Sequence, residues 1–224
     1  MNPIKTKFSF FFKNPFQLPI ILICKLPFFR FIRDTAKYQN AINFEVWFKQ
    51  KILGLGGNRN VYWPVHSSSK IFDPENIFVG VDTCPGLSKG CYIVGKGGII
   101  IGDYTQIAPN VTIVSTNHDV YDNRQEIEKA INIGKYCWIG ANAVILPGIT
   151  LGDYTIVGAG SIVTKSFTDG YCIIAGNPAK KIRDLEKDKC MDYIIEPKYY
   201  GYISSDKFQE FAKRNLKLKC AELA

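Results

Sequence analysis

The chain has 224 residues, a length sufficient for one domain with extensions. Its hydrophobic content of 46% argues against a disordered chain. Its formal net charge of +8 belongs to the first 60 residues, where ten basic residues face only Asp34 and Glu45. Because this excess lies among aromatic runs and prolines and in no recognisable nucleic-acid-binding module, nucleic acid is not expected as a partner.

Cysteine usage bears on the compartment in which the protein works. The seven cysteines form neither a zinc pattern nor a disulfide framework, because their number is odd and no Cys-x-x-Cys pair occurs. Such usage favours a reducing compartment. We therefore expect a cytoplasmic protein without a bound metal.

Residues 1–60 are predicted to be an apolar and basic extension that is partly helical. Within it, residues 8–32 are rich in aromatic side chains, but their longest uncharged stretch, Asn14–Cys24, has 11 residues, against the ~20 that a membrane-spanning helix needs. Two interpretations stay open: an arm that lies in the inner membrane interface near anionic lipids, and an arm that packs on the protein itself. A signal peptide is disfavoured, because basic residues and no small-residue cleavage site follow.

The rest of the extension is predicted to form a helix and a joint. Residues 34–53 have Asp34 in the position of a helix cap, with Ile42, Val46 and Leu53 on one face. Residues 53–60, LGLGGNRN, are rich in turn-forming residues and mark the connection to the next domain.

Residues 61–185 are predicted to form a parallel β-helix. The first coil, over residues 61–80, is expected to be irregular, with its first recognisable strand at residues 77–80. Hexads then begin at Ile101, Ile107 and Ile113, and six consecutive hexads fill residues 133–168. Their opening residues are all aliphatic: Ile133, Ile139, Ile145, Leu151, Val157 and Val163. A period of six fits neither an α-helix nor a simple amphipathic strand, and it is typical of a parallel β-helix with three hexads in each coil.

The hexad frame is interrupted between Ile113 and Ile133, which are 20 residues apart where three hexads would need 18. The intervening segment is polar, so we expect an extruded loop at about 115–131. Loops that leave a rigid scaffold often carry function.

The last part of the chain, residues 186–224, is predicted to be a helical tail. From Ser205 onward, Phe208, Phe211, Ala212 and Leu216 recur at helical spacing, which predicts a helix over 205–223 that packs on the β-helix or on a neighbour.

These segments together resemble one family of enzymes. The hexads, NHD in the extruded loop, IGKYCWIGANAVILPGITLGD, VGAGSIVTK and AGNPAK are similar to the left-handed β-helix acyltransferases that use acetyl-CoA, and above all to the maltose and galactoside O-acetyltransferases and their relatives in surface-polysaccharide synthesis. The similarity covers roughly residues 77–185. It implies an all-β, left-handed parallel β-helix with a C-terminal helix, a homotrimer with active sites between subunits, and a sugar or glycan acceptor.

The resemblance assigns a general base. Family members carry a histidine in this loop that takes a proton from the acceptor hydroxyl, and the matching residue is His118. Imidazole suits that step because it titrates near neutral pH. The chain holds only one other histidine, His66, for which a structural role is the expectation.

The resemblance also implies a binding surface for acetyl-CoA. Trp138 and Ala141 match positions along the pantetheine channel, and Ala159, Thr164 and Lys165 match contacts further along. The positions near the nucleotide phosphates match two basic residues, Lys180 and Arg183.

The acceptor site is less well defined by the sequence. The galactoside enzymes carry an acceptor-binding asparagine opposite the histidine, and the stretch Leu87–Lys89 has none. Asp82, Asn117 and Asp119 are candidates for binding the acceptor or for orienting His118.

Several alternatives remain at this stage. The same fold could acetylate serine or an antibiotic, use a longer acyl donor, or serve as a non-catalytic scaffold. A zinc enzyme of the carbonic anhydrase kind is disfavoured, because it needs three histidines and the chain has two.

Overall fold

The structure, a computed structural model, describes residues 24–218. It is mostly β, and its strands, numbered in chain order, visit three parallel sheets in turn. We call these sheets the first, second and third face. The faces enclose an elongated apolar core.

The first face has five strands: β1 Lys70–Phe72, β3 Tyr92–Val94, β6 Thr112–Val114, β11 Val144–Ile145 and β14 Ile162–Val163. The second face has four strands: β2 Ile77–Val79, β4 Ile99–Ile101, β9 Ile131–Ile133 and β12 Thr150–Leu151. The third face has five: β5 Gln106–Ile107, β10 Trp138–Ile139, β13 Thr155–Val157, β15 Cys172–Gly176 and β16 Ala179–Asp184, the last antiparallel to β15.

The sequence hexads map onto these faces. Trp138 pairs with Ile156, and Val144 pairs with Ile162, so that partners in successive coils are 18 residues apart, or three hexads. All six aliphatic residues that open the hexads are at most 2% exposed. Each such side chain stabilises the fold by roughly 1.5–3 kcal/mol through burial. The prediction of parallel β structure with these residues in the core is confirmed.

The first strand begins earlier than predicted, within the region expected to form the irregular first coil. Strand β1, residues Lys70–Phe72, precedes the predicted first strand and pairs in parallel with β3. The cause is Asn58, whose side-chain amide donates to the Ser69 carbonyl and whose side-chain oxygen accepts from the Ile71 N–H. These bonds hold the segment extended at the edge of the first face.

The predicted helix over residues 34–53 is confirmed only over residues 44–52, and its predicted start at Asp34 is wrong. Helix α1, Arg30–Asp34, ends at Asp34, because the Asp34 carboxylate binds Arg30 and the Tyr199 hydroxyl instead of capping a following turn. Helix α2, Phe44–Trp47, starts later at Asn43, whose side chain accepts from the Val46 N–H. It continues into one π-helical turn, Phe48–Ile52.

Short 3-10 turns complete the irregular parts at Pro27–Phe29, Leu55–Gly57, Pro74–Asn76 and Lys187–Lys189. The part of the extension within the described residues packs on the β-helix through an aromatic cluster in which Phe29, Phe31 and Tyr38 meet Tyr104 and Tyr199. Residues 8–23, which carry much of the predicted apolar segment, lie outside the described residues.

The C-terminal segment crosses back over the β-helix. After the short antiparallel pair β17, Tyr199–Tyr200, and β18, Ile203–Ser204, helix α3 runs over Ser205–Asn215. Its Phe208 and Ala212 are buried, and Phe208 stacks on Tyr200 at 4.1 Å. The predicted helix is therefore confirmed through Asn215; residues 219–224 lie outside the described part. Within residues 24–218, no helix has the length and apolar character to cross a bilayer.

Candidate functional site

A β-hairpin leaves the scaffold where the hexad frame breaks. Strands β7, Thr116–His118, and β8, Glu126–Glu128, pair antiparallel between β6 of the first face and β9 of the second. We call this edge of the scaffold the hairpin corner. The hairpin is rooted by the Lys129 N–H, which donates to the Ser115 carbonyl. His118 therefore stands on a braced arm and not on a loose loop.

The environment of His118 is polar and open. Its backbone N–H donates to the side-chain oxygen of Asn117 at 2.9 Å, and its side chain is exposed in the single chain. Asp119 closes the hairpin turn, because its carboxylate accepts from the Tyr121 and Asp122 N–H groups at 2.8 and 3.1 Å. Those two donors lower the pKa of the Asp119 carboxyl.

Across the hairpin, His118 faces Glu126, which the sequence did not single out. The two residues are direct partners in the β7–β8 register. Glu126 forms an ion pair with Lys96, and this contact, followed by the charge of His118, lowers the pKa of the Glu126 carboxyl. A carboxylate directly across a strand pair is close enough to orient an imidazole. Glu126 could have been identified only if the strand pairing of the hairpin were known, because residue spacing alone does not show that it lies opposite His118.

The predicted pantetheine residues lie at another edge of the scaffold. Ala141 and Ala159 occupy the turns between the third and first faces, one above the other, and the Gly160 N–H donates to the Ala141 carbonyl at 2.8 Å. We call this edge the alanine corner. Trp138 stands beside it on β10 with 56% of its surface exposed. The arrangement is an open surface with small side chains and one free indole ring.

Gly140 is required because the backbone of the next coil lies very close to it. A Cβ atom at Gly140 would lie 2.6 Å from the backbone nitrogen of Ala159 and 2.7 Å from the carbonyl oxygen of Val157. The glycine therefore lets two coils stack tightly beneath the alanines. This packing explains the glycine without a bound ligand.

The remaining predicted cofactor residues divide between two places. Thr164 and Lys165 follow β14, at the hairpin corner, and both are exposed; the Lys165 ammonium lies 5.6 Å from the centre of the Phe167 ring. Lys180 and Arg183 are exposed on β16, at the end of the third face. Both remain accessible to an anionic group.

In one chain, the predicted residues are thus not gathered into one pocket. Two clefts of about 480 and 430 Å³ lie elsewhere, and neither is lined by His118 or by the predicted cofactor residues. His118, Thr164 and Lys165 lie at the hairpin corner, whereas Ala141 and Ala159 lie at the alanine corner. These two corners are the opposite edges of the first face.

Asp82 has a different environment from Asn117 and Asp119. It is 2% exposed, and its carboxylate accepts from the Gln39 and Asn40 N–H groups, both at 2.9 Å. Burial raises the pKa of the Asp82 carboxyl, and the two donors oppose that shift. The residue ties the N-terminal extension to the β-helix. An acceptor role for Asp82 stays a prediction.

His66 also has a local structural role. Its ring nitrogen Nδ1 lies 2.8 Å from the Ser68 hydroxyl and accepts from the Ser68 N–H at 3.1 Å. Within residues 24–218, no three His, Cys, Asp or Glu side chains cluster as metal ligands would, and the six cysteines of that range are unpaired.

Comparison with known proteins agrees with this geometry. The family model described as bacterial transferase hexapeptide (six repeats) matches residues 130–165. The galactoside O-acetyltransferase of Escherichia coli (strain K12) is 41% identical over 160 residues, which cover 68% of this chain and 75% of that protein. A solved galactoside acetyltransferase in complex with coenzyme A superposes with a TM-score of 0.52 at 33% identity, over 62% of this chain and 70% of that one.

Nodulation protein L of Rhizobium meliloti (strain 1021) is a further relative. It is 38% identical over 79 residues, which cover 34% of this chain and 42% of that protein. The chain thus spans less than half the length of this relative, while it spans three quarters of the galactoside enzyme.

Proposed function

The chain belongs to the family of bacterial hexapeptide-repeat acetyltransferases, and we propose that it is an acetyl-CoA-dependent O-acetyltransferase that modifies a sugar hydroxyl in surface-polysaccharide synthesis. The similarity to the galactoside enzyme supports both the donor and the sugar acceptor. The hexapeptide family model and the coenzyme A-bound neighbour support a left-handed coil for the three parallel faces. The observation that carries the proposal is the placement of His118 on a braced hairpin beside the first face.

His118 acts as the general base. Its imidazole takes the proton of the acceptor hydroxyl while that oxygen forms a bond to the acetyl carbon and the carbon–sulfur bond breaks. The proton on the imidazole is then available for the departing thiolate, so the step needs no covalent enzyme intermediate. A positioned proton transfer of this kind contributes typically about 10²- to 10⁴-fold to the rate.

The residues predicted to hold the donor fit the chemistry of coenzyme A. The alanine corner offers small exposed side chains for the pantetheine arm, and the Trp138 ring offers an apolar face. Lys180 and Arg183 present two accessible positive charges for phosphate groups. When bound, the donor supplies the acyl thioester; the chain contributes orientation and proton transfer.

The active unit is a homotrimer with each site shared by two subunits. If the first face of every subunit faces the three-fold axis, its alanine corner meets the hairpin corner of the next subunit, because these corners are the two edges of that face. Such a ring unites Ala141 and Ala159 of one subunit with His118 and Thr164 of another. The exposed hairpin tip, where Val120 is 86% and Tyr121 97% exposed, would then contact a neighbour.

The acceptor binds beside His118 in this arrangement. Asn117 and Asp119 flank the base on the hairpin, and an acceptor hydroxyl that reaches the imidazole would pass them. Asn117 and Asp119 each already accept a hydrogen bond from the hairpin backbone. The sugar would therefore bind to the lone pairs that these two side chains have left.

The first prediction tests the base. His118→Ala should lower kcat/KM for acetyl transfer by about 10²- to 10⁴-fold, because no other side chain takes the proton. The assay follows thiol release from acetyl-CoA with a panel of sugars, serine and an antibiotic, and sedimentation velocity follows the trimer. His66→Ala is the control, and it should keep its rate.

Two outcomes would contradict the proposal. Unchanged turnover in His118→Ala would remove the assigned base. Failure of the wild-type chain to bind coenzyme A in calorimetry would favour a scaffold role instead of an enzyme.

A further inference from the structure

An apolar and basic surface lies on the extension, apart from the proposed active site. Six large apolar side chains within residues 26–55 are exposed, which is unusual for so short a stretch: Leu26, Phe28, Phe48, Ile52, Leu53 and Leu55. We call these residues the extension patch. Phe28 is 69% exposed, Leu53 52% and Ile52 50%. An apolar surface of this kind marks a contact with another body.

Ring contacts join Phe28 and Phe48 of the patch through one aromatic group. The Phe28 ring packs edge-on against Trp47 at 6.0 Å, and Phe48 stacks on Phe44 at 5.8 Å within the same aromatic group. Ile52 lies one turn beyond Phe48, and Leu53 follows it. The patch is therefore continuous along α2 and the π-helical turn.

Positive charge surrounds the patch. The Arg59 guanidinium donates to the Ile52 carbonyl at 2.8 Å, and the Lys70 ammonium donates to the Gly56 carbonyl at 3.1 Å. Lys25 and Arg30 are exposed beside Leu26 and Phe28. Lys51 adds little, because its ammonium is turned inward to the carbonyls of Arg59 and Val61. Over residues 24–60, seven basic residues face two acidic ones.

The sequence before the described residues has the same character. Residues 8–23 contain five phenylalanines and several aliphatic residues with Lys13 as their only charge, and the chain enters the patch at Cys24 and Lys25. An anionic lipid surface offers what both segments lack, since it accepts apolar side chains at the acyl boundary and attracts the surrounding cations.

We propose that the extension patch docks the protein on an anionic lipid bilayer. The geometry of the scaffold favours this. Residues 50–61 cover β1, the edge strand of the first face, so the patch lies at one end of the coil. In the trimer proposed above, the three patches would lie at the same end. Three weak contacts would then act together on one surface.

The experiment uses the full chain and vesicles of two compositions, pure phosphatidylcholine and an equal mixture of phosphatidylcholine and phosphatidylglycerol. At physiological ionic strength, the chain should sediment with the mixed vesicles and not with the neutral ones. Raising the salt concentration should weaken this binding, because exposed charges are screened.

The decisive variant is Ile52→Glu with Leu53→Glu, which should lower the apparent affinity for the mixed vesicles about tenfold or more, since it removes apolar contact and adds like charge. Met191→Glu is the matched control. Met191 is also an exposed apolar residue, but it lies on the C-terminal segment, so binding should not change. Acetyl transfer to a water-soluble sugar should be equal in all three proteins.

Equal binding to both kinds of vesicle, or no binding to either, would overturn the proposal. So would wild-type binding by the double variant. A double variant that melts at a lower temperature while the wild type ignores vesicles would show that residues 1–23 cover the patch, which also overturns it. None of these results depends on whether the chain transfers acetyl groups.

Discussion

At the scale of single residues, the role proposed for His118 depends on its neighbours on the hairpin. Its backbone is fixed by the pairing of β7 with β8, and its side chain lies opposite Glu126. Lys96 binds Glu126 and also lies 3.7 Å from Glu128, which holds the glutamate strand in place. If His118 is the base proposed above, we expect Glu126 to be its positioning residue, because a carboxylate across the strand pair could accept a hydrogen bond from one ring nitrogen while the other faces the acceptor.

We therefore predict that Glu126→Gln lowers kcat about tenfold and leaves KM for acetyl-CoA nearly unchanged, because the donor surface is not altered while the imidazole loses its oriented partner. Glu128→Gln is a close control: Glu128 is on the same strand and near the same lysine, but it pairs with Thr116 and not with His118. Steady-state kinetics and melting temperatures of both variants test this. An equal loss in the two variants would mean that the glutamates act only on hairpin stability.

The residues that the sequence named, and those it missed, differ in the range of their interactions. His118 was identified because its NHD context resembles a family pattern. Asp82 was assigned to the acceptor, but its partners, Gln39 and Asn40, are more than 40 residues away and belong to a part of the chain without a recognisable pattern. Glu126 depends on the register of a hairpin, which no local motif specifies.

At the scale of elements, the third edge of the scaffold is built from stacked tyrosines. Tyr104, Tyr136, Tyr154 and Tyr171 occupy successive turns between the second and third faces, and neighbouring ring centres are 4.9 to 5.0 Å apart. We call this edge the tyrosine corner. All four residues have positive φ, between 44° and 60°. A bulky residue in that region is strained by about 1–2 kcal/mol, so the stacking must compensate.

Tyr154, in the middle of the stack, allows the two effects to be separated. Tyr154→Ala should destabilise the protein by about 2–3 kcal/mol, because it loses two ring contacts and keeps the strained backbone. Tyr154→Gly should be less destabilising than Tyr154→Ala by about 1 kcal/mol, since glycine adopts positive φ freely. Tyr154→Phe keeps the rings and should change stability by less than about 1 kcal/mol. Chemical denaturation measures all three, and an alanine variant more stable than the glycine variant would refute the strain argument.

Elements were predictable in proportion to their periodicity. The hexads specified strands, faces and core, because six aliphatic positions such as Ile139 and Ile145 must all be buried together. The extension was predicted poorly, because its helices are short and their ends are set by tertiary contacts such as that of Asp34 with Tyr199. The sequence analysis did not predict the tyrosine corner, although each of its four tyrosines follows a glycine by one or two residues.

At the scale of the whole molecule, the edges and faces of the coil differ in what covers them. Helix α3 packs on the second face through Phe208 and Phe78, and the extension and the C-terminal segment cover the tyrosine corner through Tyr38 and Tyr193. Among residues 24–218, no element covers the first face. Its outward side chains are mostly apolar and remain partly or fully exposed: Phe72, Tyr92, Val94, Val114, Val144 and Ile162.

A bare apolar face between two corners that carry the predicted site residues is the expected appearance of a subunit removed from its ring. Phe72 and Tyr92 already pair on this face, with ring centres 5.5 Å apart, and have no covering layer among the described residues. The sequence implied a trimer only through resemblance. The fold adds a candidate surface, because the first face presents a continuous row of partly or fully exposed apolar side chains.

The last prediction follows from that surface. Val144 points outward from β11, a strand of the first face that is paired on both sides. Val144→Glu would bury a charge against an apolar neighbour in the trimer, at a cost of about 3 kcal/mol, or about a hundredfold weaker association. In the isolated subunit the glutamate would lie in water, so the fold should persist. We expect a monomer in sedimentation velocity, a β-rich circular dichroism spectrum like that of the wild type, and loss of acetyl transfer, because no single chain unites the two corners.

The control is Ile194→Glu, the same kind of change at an exposed residue on the C-terminal segment, and this variant should remain trimeric and active. A trimeric, active Val144→Glu would show that the first face is not the interface.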